Sequence, residues 1–544
     1  MTEYSQWHHP YTPDKKYEKK VAYFSMEFAI DQALKTYSGG LGFLAGSHMR
    51  SAYELKQNLI GIGMLWKYGY YDQARNPDGT LETRFVEKIY PFLEDTGIRV
   101  KVQILNNPDV HIHAFCLRSE VFHSAPIYLL TTNVPENDHL SQTITDRLYD
   151  ANELTRISQS IVLGIGGAKV VEALGGADVY HLNEGHGLPA FYYLRDRGIT
   201  KDQMVFTTHT PEKAGNETHD GDFLNEMGFF ARKLSTEELS GEVVEDGDLS
   251  YTVSALRLSK KSNAVSKIHA KVSRDMWKDF EGISEIIPIT NAQNQSYWQD
   301  DILRKTFENR DDEGFMIRKK ELKELLFKEV ANQTGKLYDP EVLTIVWARR
   351  FAGYKRADLL LSDRDRLEKL LSHTDRPVQL IWAGKPYPRD FQAIDIFNSI
   401  HHFSRYLTNV SVLIGYELEL SRLLKIGSDI WLNTPRITRE ASGTSGMTAA
   451  MNGSVNLSTY DGWIPEFAKD GENCFLIPPA DMKEGVEAMD KRDATNLYHI
   501  LEQKIIPAYY QPDQWMKIVF GSMKDVLPEF GSNRMADQYY RELY

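Results

Sequence analysis

The feature that most restricts the fold of this chain is an alternation. Short apolar runs rich in β-branched and aromatic residues recur along it: VAYFSMEF, MVFTTHT, TIVWAR, VQLIWAG and DIWLNTP. Most end near glycine, proline or a polar turn, as buried strands do. Between them lie stretches with helical spacing, such as RISQSIVLGIGGAKVVEALG and DDEGFMIRKKELKELLFKEVANQTG. Strands alternating with helices predict an α/β protein whose parallel sheets are covered on both faces. Ligands in such folds gather beyond the carboxyl ends of the strands, so the residues just after each run are the ones to inspect.

At roughly 100–200 residues per domain, 544 residues predict two large domains. Residues 299–340 are charged, helical in pattern and end in TGKLYDP before a new strand, which reads as a bridge. We place the domain boundary within it, at 320/321. The tail from Leu501 is helical in pattern with interspersed prolines. The net charge of −13 argues against a general affinity for nucleic acid or an anionic membrane. Cys116 and Cys474 stand far apart, which suits a reduced cytosol and neither a disulfide scaffold nor a cysteine metal site. The polar N-terminus lacks the apolar core of a signal peptide, and no uninterrupted apolar run approaches the roughly 18 residues of a membrane span. A cytoplasmic protein is expected.

Three constellations carry chemistry. Tyr37-Ser38-Gly39-Gly40-Leu41-Gly42 through Gly46 follows the first strand-like run. Its glycines let backbone amides approach an anion at a helix N-terminus, and they serve a ligand-free tight turn equally well. Arg349-Arg350-Phe351-Ala352-Gly353-Tyr354-Lys355-Arg356 follows TIVWA. Arginine offers a fork and lysine a point charge for phosphate, and the strand-end position favours an anion site over a solvated face. Glu440-Ala441-Ser442-Gly443-Thr444-Ser445-Gly446 follows DIWLNTP. Its amides suit phosphate and Glu440 suits a pair of sugar hydroxyls, although an ordinary helix cap with a solvent-facing glutamate has the same pattern.

His209 closes another strand, where a lone histidine is more often structural than catalytic. Asn183-Glu184-Gly185-His186 looks like a truncated metal motif, but it lacks the His-Glu-x-x-His spacing, and we assign no metal. His111 and His113 alternate on a strand-like run and read as a surface pair.

Together these segments resemble the glycogen, starch and α-glucan phosphorylases, especially their short bacterial and archaeal form. The match runs along most of the chain: AYFSMEF, YSGGLGFLAG, HLNEGH, FTTHTP, VSKIHAKVSRDMW, ITN, ARRFAGYKRADLL, IWAGKPYP and ITREASGTSGM in this order. The resemblance implies a GT-B fold of two Rossmann-like domains with the active site in the cleft. Residues 1–320 would form the acceptor side, 321–500 the donor and phosphate side, and 501–544 helices crossing back to the first domain. It implies glucosyl transfer between an α-1,4-glucan and phosphate, with retention of configuration. The family's cofactor is pyridoxal phosphate, held as a Schiff base to lysine.

By motif, His209 matches the family's catalytic-site histidine. Asn291, Glu440, Ser442 and Gly443 match residues that hydrogen-bond glucose, with Thr444 beside them. Gly40, Leu41 and Gly42 match the loop facing the anomeric phosphate. Arg350 and Lys355 match the basic pair at the phosphates. No acid–nucleophile pair of carboxylates is evident, which disfavours a two-carboxylate glycosidase.

The departures carry as much information. Thr448 stands at the family's Schiff-base lysine, and a hydroxyl cannot form an imine. Ala292-Gln293-Asn294 replaces the usual Gly-Val-His, Ser47 an aspartate, and Asn216 a frequent histidine. Three readings follow. The favoured one is a retaining glycosyltransferase that takes a nucleotide sugar and needs no covalent cofactor. The second is α-glucan phosphorolysis yielding glucose 1-phosphate, with pyridoxal phosphate bound non-covalently or replaced by another anion. The third is a non-catalytic protein that binds glucan or sugar phosphate. The partners expected are a carbohydrate acceptor, phosphate or a nucleotide diphosphate, and a second copy of the chain.

Overall fold

The computed structural model describes residues 6–479 and 485–544. The chain divides into two compact units. One comprises Met1–Tyr71, Phe85–Asn291 and Ser532–Tyr544, and the other comprises Asp72–Arg84 and Ala292–Gly531.

The first unit is built on a nine-stranded sheet. Its order is Glu285–Pro288, Lys261–Ala264, Met204–Thr208, Val179–Asn183, Val21–Phe24, Leu59–Met64, Ile127–Thr131, Asn107–Leu117 and Glu94–Ile104. Neighbours run parallel from the first of these to Ile127–Thr131, and the last two strands add an antiparallel edge. The central strands are buried along their whole length, which is why they read as continuous apolar runs instead of alternating ones. The stretch RISQSIVLGIGGAKVVEALG is helical: Glu153–Ile161 is capped by Asn152, whose side chain accepts from Thr155 N, and it runs through one π-turn into Gly167–Ala173.

The second unit carries a six-stranded, wholly parallel sheet. Its order is Val410–Leu413, Val378–Ala383, Leu343–Ala348, Ile430–Asn433, Val455–Thr459 and Cys474–Ile477. Apolar cores lie on it, and Ile345 and Trp347 alternate with Val346 and Ala348 between two of them. The molecule is thus a mixed α/β protein with two large parallel-stranded sheets, as the alternation of runs predicts. Among the described residues no helix is long and apolar enough to cross a membrane.

The bridge expected at 299–340 is corrected. Its main element is the helix Asp312–Thr334, capped by Asp311 and closed by Gly335 at φ 72°. Phe315, Leu322, Leu326, Phe327 and Val330 are buried in the cores of the second unit. The segment looks solvated because it is rich in lysine, yet two of those lysines are buried with partners. Lys323 Nζ lies 2.6 Å from Asp429 Oδ2. Lys319 Nζ donates to Ile426 O and Asn452 O, both at 2.9 Å. The division between units therefore falls after Asn291, ahead of this helix. Of the tail, Leu501–Gly531 stays with the second unit, where Trp515, Val519 and Met523 are buried, and Ser532–Tyr544 groups with the first.

Candidate functional site

Each unit gathers its candidate residues at strand carboxyl ends. In the first unit the chain leaves Val21–Phe24 and buries Glu27. The Glu27 carboxylate accepts from Ser38 N at 2.6 Å, Gly39 N at 3.0 Å, Ser38 Oγ at 2.9 Å and Tyr149 Oη at 2.6 Å. This fixes the glycine-rich turn as the start of the helix Gly40–Glu54. A Cβ on Gly42 would lie 2.8 Å from Glu27 Oε2, and one on Gly46 only 1.9 Å from Ala29 O, so these two glycines let the helix close onto the extended segment. Gly39 and Gly40 are different, with nothing within 4 Å of such a Cβ. Gly40, Leu41 and Gly42 are the first helical residues, whose N–H groups have no acceptor within the helix.

The neighbouring strands Val179–Asn183 and Met204–Thr208 end together. His209 Nε2 lies 2.7 Å from Asn183 Oδ1, and Asn183 Nδ2 donates to Ser25 Oγ at 3.1 Å. That orientation of the amide makes Nε2–H the donor and leaves His209 Nδ1 as an acceptor. Glu184 accepts from His209 N at 2.8 Å and Thr210 Oγ1 at 3.2 Å. It does so from a left-handed backbone, φ 71°, a strain on the order of 1–3 kcal/mol that is common at functional sites. Burial, with repulsion from His269 and His186, pushes His209 down to about 3, so its imidazole is neutral across the physiological range. Burial raises the Glu184 carboxyl. The rejected metal motif therefore holds the histidine in place. Asn291 donates its N–H to Val265 O at 3.0 Å, while its buried Oδ1 has no hydrogen-bond partner among the described residues.

The other substituted positions do structural work. Asn216 braces its own loop, donating to Glu212 O at 2.7 Å and accepting from Thr252 Oγ1 at 2.6 Å. Ser47 is buried within the Gly40–Glu54 helix. Asn294 caps the short helix Gln295–Trp298. His111 and His113 sit on the half-buried strand Asn107–Leu117, next to the edge strand Glu94–Ile104, and join neither cluster.

In the second unit the central strand Leu343–Ala348 delivers the basic run. Its four cations separate. Arg356 is structural, ion-paired to Asp490 at 2.9 Å and Asp493 at 2.6 Å. Arg350 is exposed. Arg349 and Lys355 turn inward to the buried Glu440 carboxylate. Lys355 Nζ bonds Glu440 Oε2, and Arg349 Nη1 lies 3.4 Å from the same oxygen. Arg349 Nη2 reaches Ser445 Oγ at 3.4 Å, and the buried Arg349 Nε has no partner among the described residues. Burial pushes the Glu440 carboxyl up, but Lys355, Arg349 and Arg350 together outweigh it and hold the group below its ordinary value.

The loop is tied from behind by Asp461, which accepts from Glu440 N and Gly462 N, both at 2.9 Å. Burial and the Glu440 charge push Asp461 up to about 6 against these hydrogen bonds. Gly443 and Gly462 have φ of 77° and 61°. A Cβ on Gly462 would lie 2.1 Å from Ser442 O, which also accepts from Trp463 N at 2.9 Å. Ser442 Oγ is buried and without a partner among the described residues. Thr444 opens the helix Ser445–Met451.

Thr448 lies within that helix at 0% exposure, its hydroxyl donating to Ser445 O at 3.0 Å. These residues do not fit a cofactor held as an imine at position 448. The hydroxyl is engaged with backbone, and the side chain is enclosed. Asn452 Nδ2 joins Thr448 O and Trp298 O, each at 2.8 Å. Over the buried Trp298 ring, 3.6 Å from its centroid, lies the Nζ of the equally buried Lys425, whose amine burial pushes well below its ordinary value.

Sequence reasoning passed over Glu27, Asn183, Glu184, Arg349 and Asp461 as site builders. Asn183, Arg349 and Asp461 share one signal, a polar residue at or just past the carboxyl end of a parallel strand.

Comparison with known proteins adds to this geometry. The pattern of the carbohydrate phosphorylase family matches residues 288–502. An uncharacterised protein of Methanocaldococcus jannaschii is 47% identical over 97% of this chain and 100% of its own length. The maltodextrin phosphorylase of Thermococcus litoralis is 33% identical over 97% of this chain and 71% of its own. More distantly, a glycogen synthase of Haemophilus influenzae is 25% identical over 88% of this chain and 94% of its own.

Proposed function

Because the chain belongs to the carbohydrate phosphorylase family and is a hexosyltransferase-type enzyme, we propose that it is a retaining GT-B glycosyltransferase acting in the cytoplasm. It passes an α-glucosyl unit from a nucleotide sugar to an α-glucan or smaller sugar acceptor, without pyridoxal phosphate. The observation that carries this reading is the pairing of an intact basic cluster with an enclosed threonine at the cofactor's lysine position. Arg349 and Lys355 present more donors than the one Glu440 carboxylate can satisfy, and Arg349 Nε is left over. A buried donor without an acceptor costs about 1–3 kcal/mol, which a diphosphate oxygen would relieve. A nucleotide diphosphate brings its own second phosphate and needs no lysine at position 448.

In this reading the second unit supplies the electrostatics. Arg349, Arg350 and Lys355 neutralise the charge that develops on the leaving diphosphate, where preorganised donors are worth most. The amides of Gly443, Thr444 and Ser445 add to them. Glu440 and Ser442 accept and donate at the sugar hydroxyls. The first unit positions the sugar, with the Gly40, Leu41 and Gly42 amides at the anomeric side and His209 and the open Asn291 Oδ1 on the hydroxyls. Position, not proton transfer, is the task of a histidine that stays neutral.

The test is a panel of nucleotide sugars incubated with maltooligosaccharides. Consumption of one donor with chain extension, and a rise in melting temperature on adding that donor, are expected. If no nucleotide sugar is consumed or stabilises the protein, the reading fails. The naming of relatives such as the Thermococcus enzyme favours phosphorolysis as a second reading. Glucose 1-phosphate made from glucan and inorganic phosphate would select it. A third reading, a non-catalytic binder of glucan or sugar phosphate, is discarded by turnover with either donor.

A further inference from the structure

The sheet of the second unit has the strand order of a nucleotide-binding fold. Numbered along the chain, its strands lie side by side as 3-2-1-4-5-6, an order in which ligands bind where the succession reverses, between the first strand and the fourth. That crevice holds Arg349, just after Leu343–Ala348, and Glu440, beyond Ile430–Asn433. In such folds a nucleoside whose phosphates lie at the first strand extends over the ends of the next strands, where a carboxylate grips the ribose. These ends are Gly384, after Val378–Ala383, and Gly415-Tyr416, beyond Val410–Leu413.

That place is filled from within the unit. The hairpin of Asp72–Arg75 and Leu81–Arg84 docks here and inserts the Gln73 side chain. Gln73 Nε2 donates to Gly384 O at 2.7 Å, and its Oε1 accepts from Gly415 N at 2.9 Å and Tyr416 N at 3.1 Å. A carboxamide sets a donor beside an acceptor, as the edge of a nucleobase does. Gln73 therefore takes up the backbone groups that a base would need. Tyr416 Oη donates to Ala348 O at 3.2 Å, so one residue spans from the end of the first strand to Gln73. The ribose position is closed as well: the residue after Gly384 is Lys385, buried and 2.9 Å from Glu417 Oε1.

The hairpin is anchored on both sides of its turn. Leu81 is buried in the core, and its N–H donates to Asn398 Oδ1 at 2.9 Å. Arg75 donates to Val412 O at 2.5 Å and to Gly79 O at 3.0 Å. Gly79, at φ 86°, packs on His401, where a Cβ would lie 2.2 Å from the ring Nε2. A base could displace the Gln73 amide only by breaking its hydrogen bonds and remaking equivalent ones, an exchange without net gain.

We infer that Gln73 makes this protein indifferent to the nucleobase of its donor: it occupies the base-reading position, and recognition stops at the phosphates and the sugar. The inference rests on the nucleotide-sugar donor of the proposed function. It states which nucleotide sugars qualify, namely those with the right sugar, whatever base they carry.

The experiment uses the full chain in titration calorimetry with ADP, UDP, GDP and CDP, and in turnover of ADP-, UDP- and GDP-glucose with maltooligosaccharides. Affinities and rates are expected to agree within about threefold across the bases, less than the roughly tenfold that one net hydrogen bond to a base confers. Gln73→Ala frees Gly384 O, Gly415 N and Tyr416 N while leaving the Arg75 and Leu81 anchors in place, and should separate the bases by about tenfold. A preference of about tenfold or more for one base in the unaltered protein, a measurement that needs no variant, overturns the inference and leaves the proposed function standing. A spread in Gln73→Ala no wider than in the unaltered protein overturns it too. If no nucleoside diphosphate binds, the donor reading itself falls and takes the inference with it.

Discussion

The two clusters are made of different materials. The groups that the first unit leaves open are neutral: backbone amides at Gly40, Leu41 and Gly42, the Asn291 amide, and an imidazole that burial keeps uncharged, with Glu27 and Glu184 spent on holding them in place. The cluster of the second unit is charged: Arg349 and Lys355 share Glu440, with Asp461 behind it. Neutral donors and acceptors at fixed positions select hydroxyls by geometry, while charges select an anion by field. The division suits a reaction with one uncharged sugar and one charged leaving group. It also predicts opposite responses to pH, salt and mutation.

The largest effect is expected at Glu440. Glu440→Gln leaves two buried cations without their carboxylate and should cost about 3–5 kcal/mol of stability, together with sugar binding, as read by denaturant unfolding and calorimetry. A loss under 1 kcal/mol would show that the cluster is already solvated and break the contrast. His209→Ala removes a positioning group and should lower turnover roughly 100-fold with little change in melting temperature. Because burial holds His209 down at about 3, the rate of the unaltered protein should show no inflection belonging to this histidine from pH 5 to 8. A histidine inflection near 6.5 would place a charge in the neutral half.

Thr448→Lys tests whether the space at the old anchor has closed. Forcing a longer side chain into this enclosed position should cost about 1–3 kcal/mol and yield no borohydride-stable adduct with pyridoxal phosphate at residue 448 by mass spectrometry. A stable adduct would reopen the cofactor question.

The smallest effect belongs to Asp461. Its folded value of about 6 lies above its ordinary 3.8, so as pH falls from 7 the folded form takes up a proton before the unfolded form does. Its penalty to folding is therefore full above pH 6 and relieved between 6 and 4. Over the same range the protonated oxygen accepts less well from Glu440 N or Gly462 N. Sugar affinity should drop a few-fold below pH 6, and Asp461→Asn should flatten that drop. A profile unchanged in the variant would remove Asp461 from the charged half.

Much of the fold was legible because fully buried parallel strands cannot hide their apolar runs. VAYF, MVFTT, TIVWA and VQLIWA each became a strand. The charged helix Asp312–Thr334 was misread because a sequence does not say whether Lys319 and Lys323 meet water or buried partners, which here lie 106 residues away for Lys323 and 107 and 133 for Lys319. The site was legible where one short motif holds the residues, as in Glu440 to Thr444. It was not where function depends on pairs. Asn183 orients His209 from 26 residues away, and Asp461 holds Glu440 N from 21 residues away. In the basic run, Arg350 and Lys355 drew the reading, whereas the inward arginine is Arg349. Which of two adjacent arginines turns inward depends on the last residue of the strand, a matter of register that composition does not record.

The contact between Gly462 and Ser442 has a consequence for anyone who mutates this protein at random. Position 462 touches no ligand in the proposed reaction, yet any side chain there collides with the carbonyl that shapes the Ser442–Gly443 turn. A screen for folded variants that no longer hold sugar should recover residue 462 as often as Glu440. An investigator without the structure would then mark as a contact residue one that acts as a hinge stop.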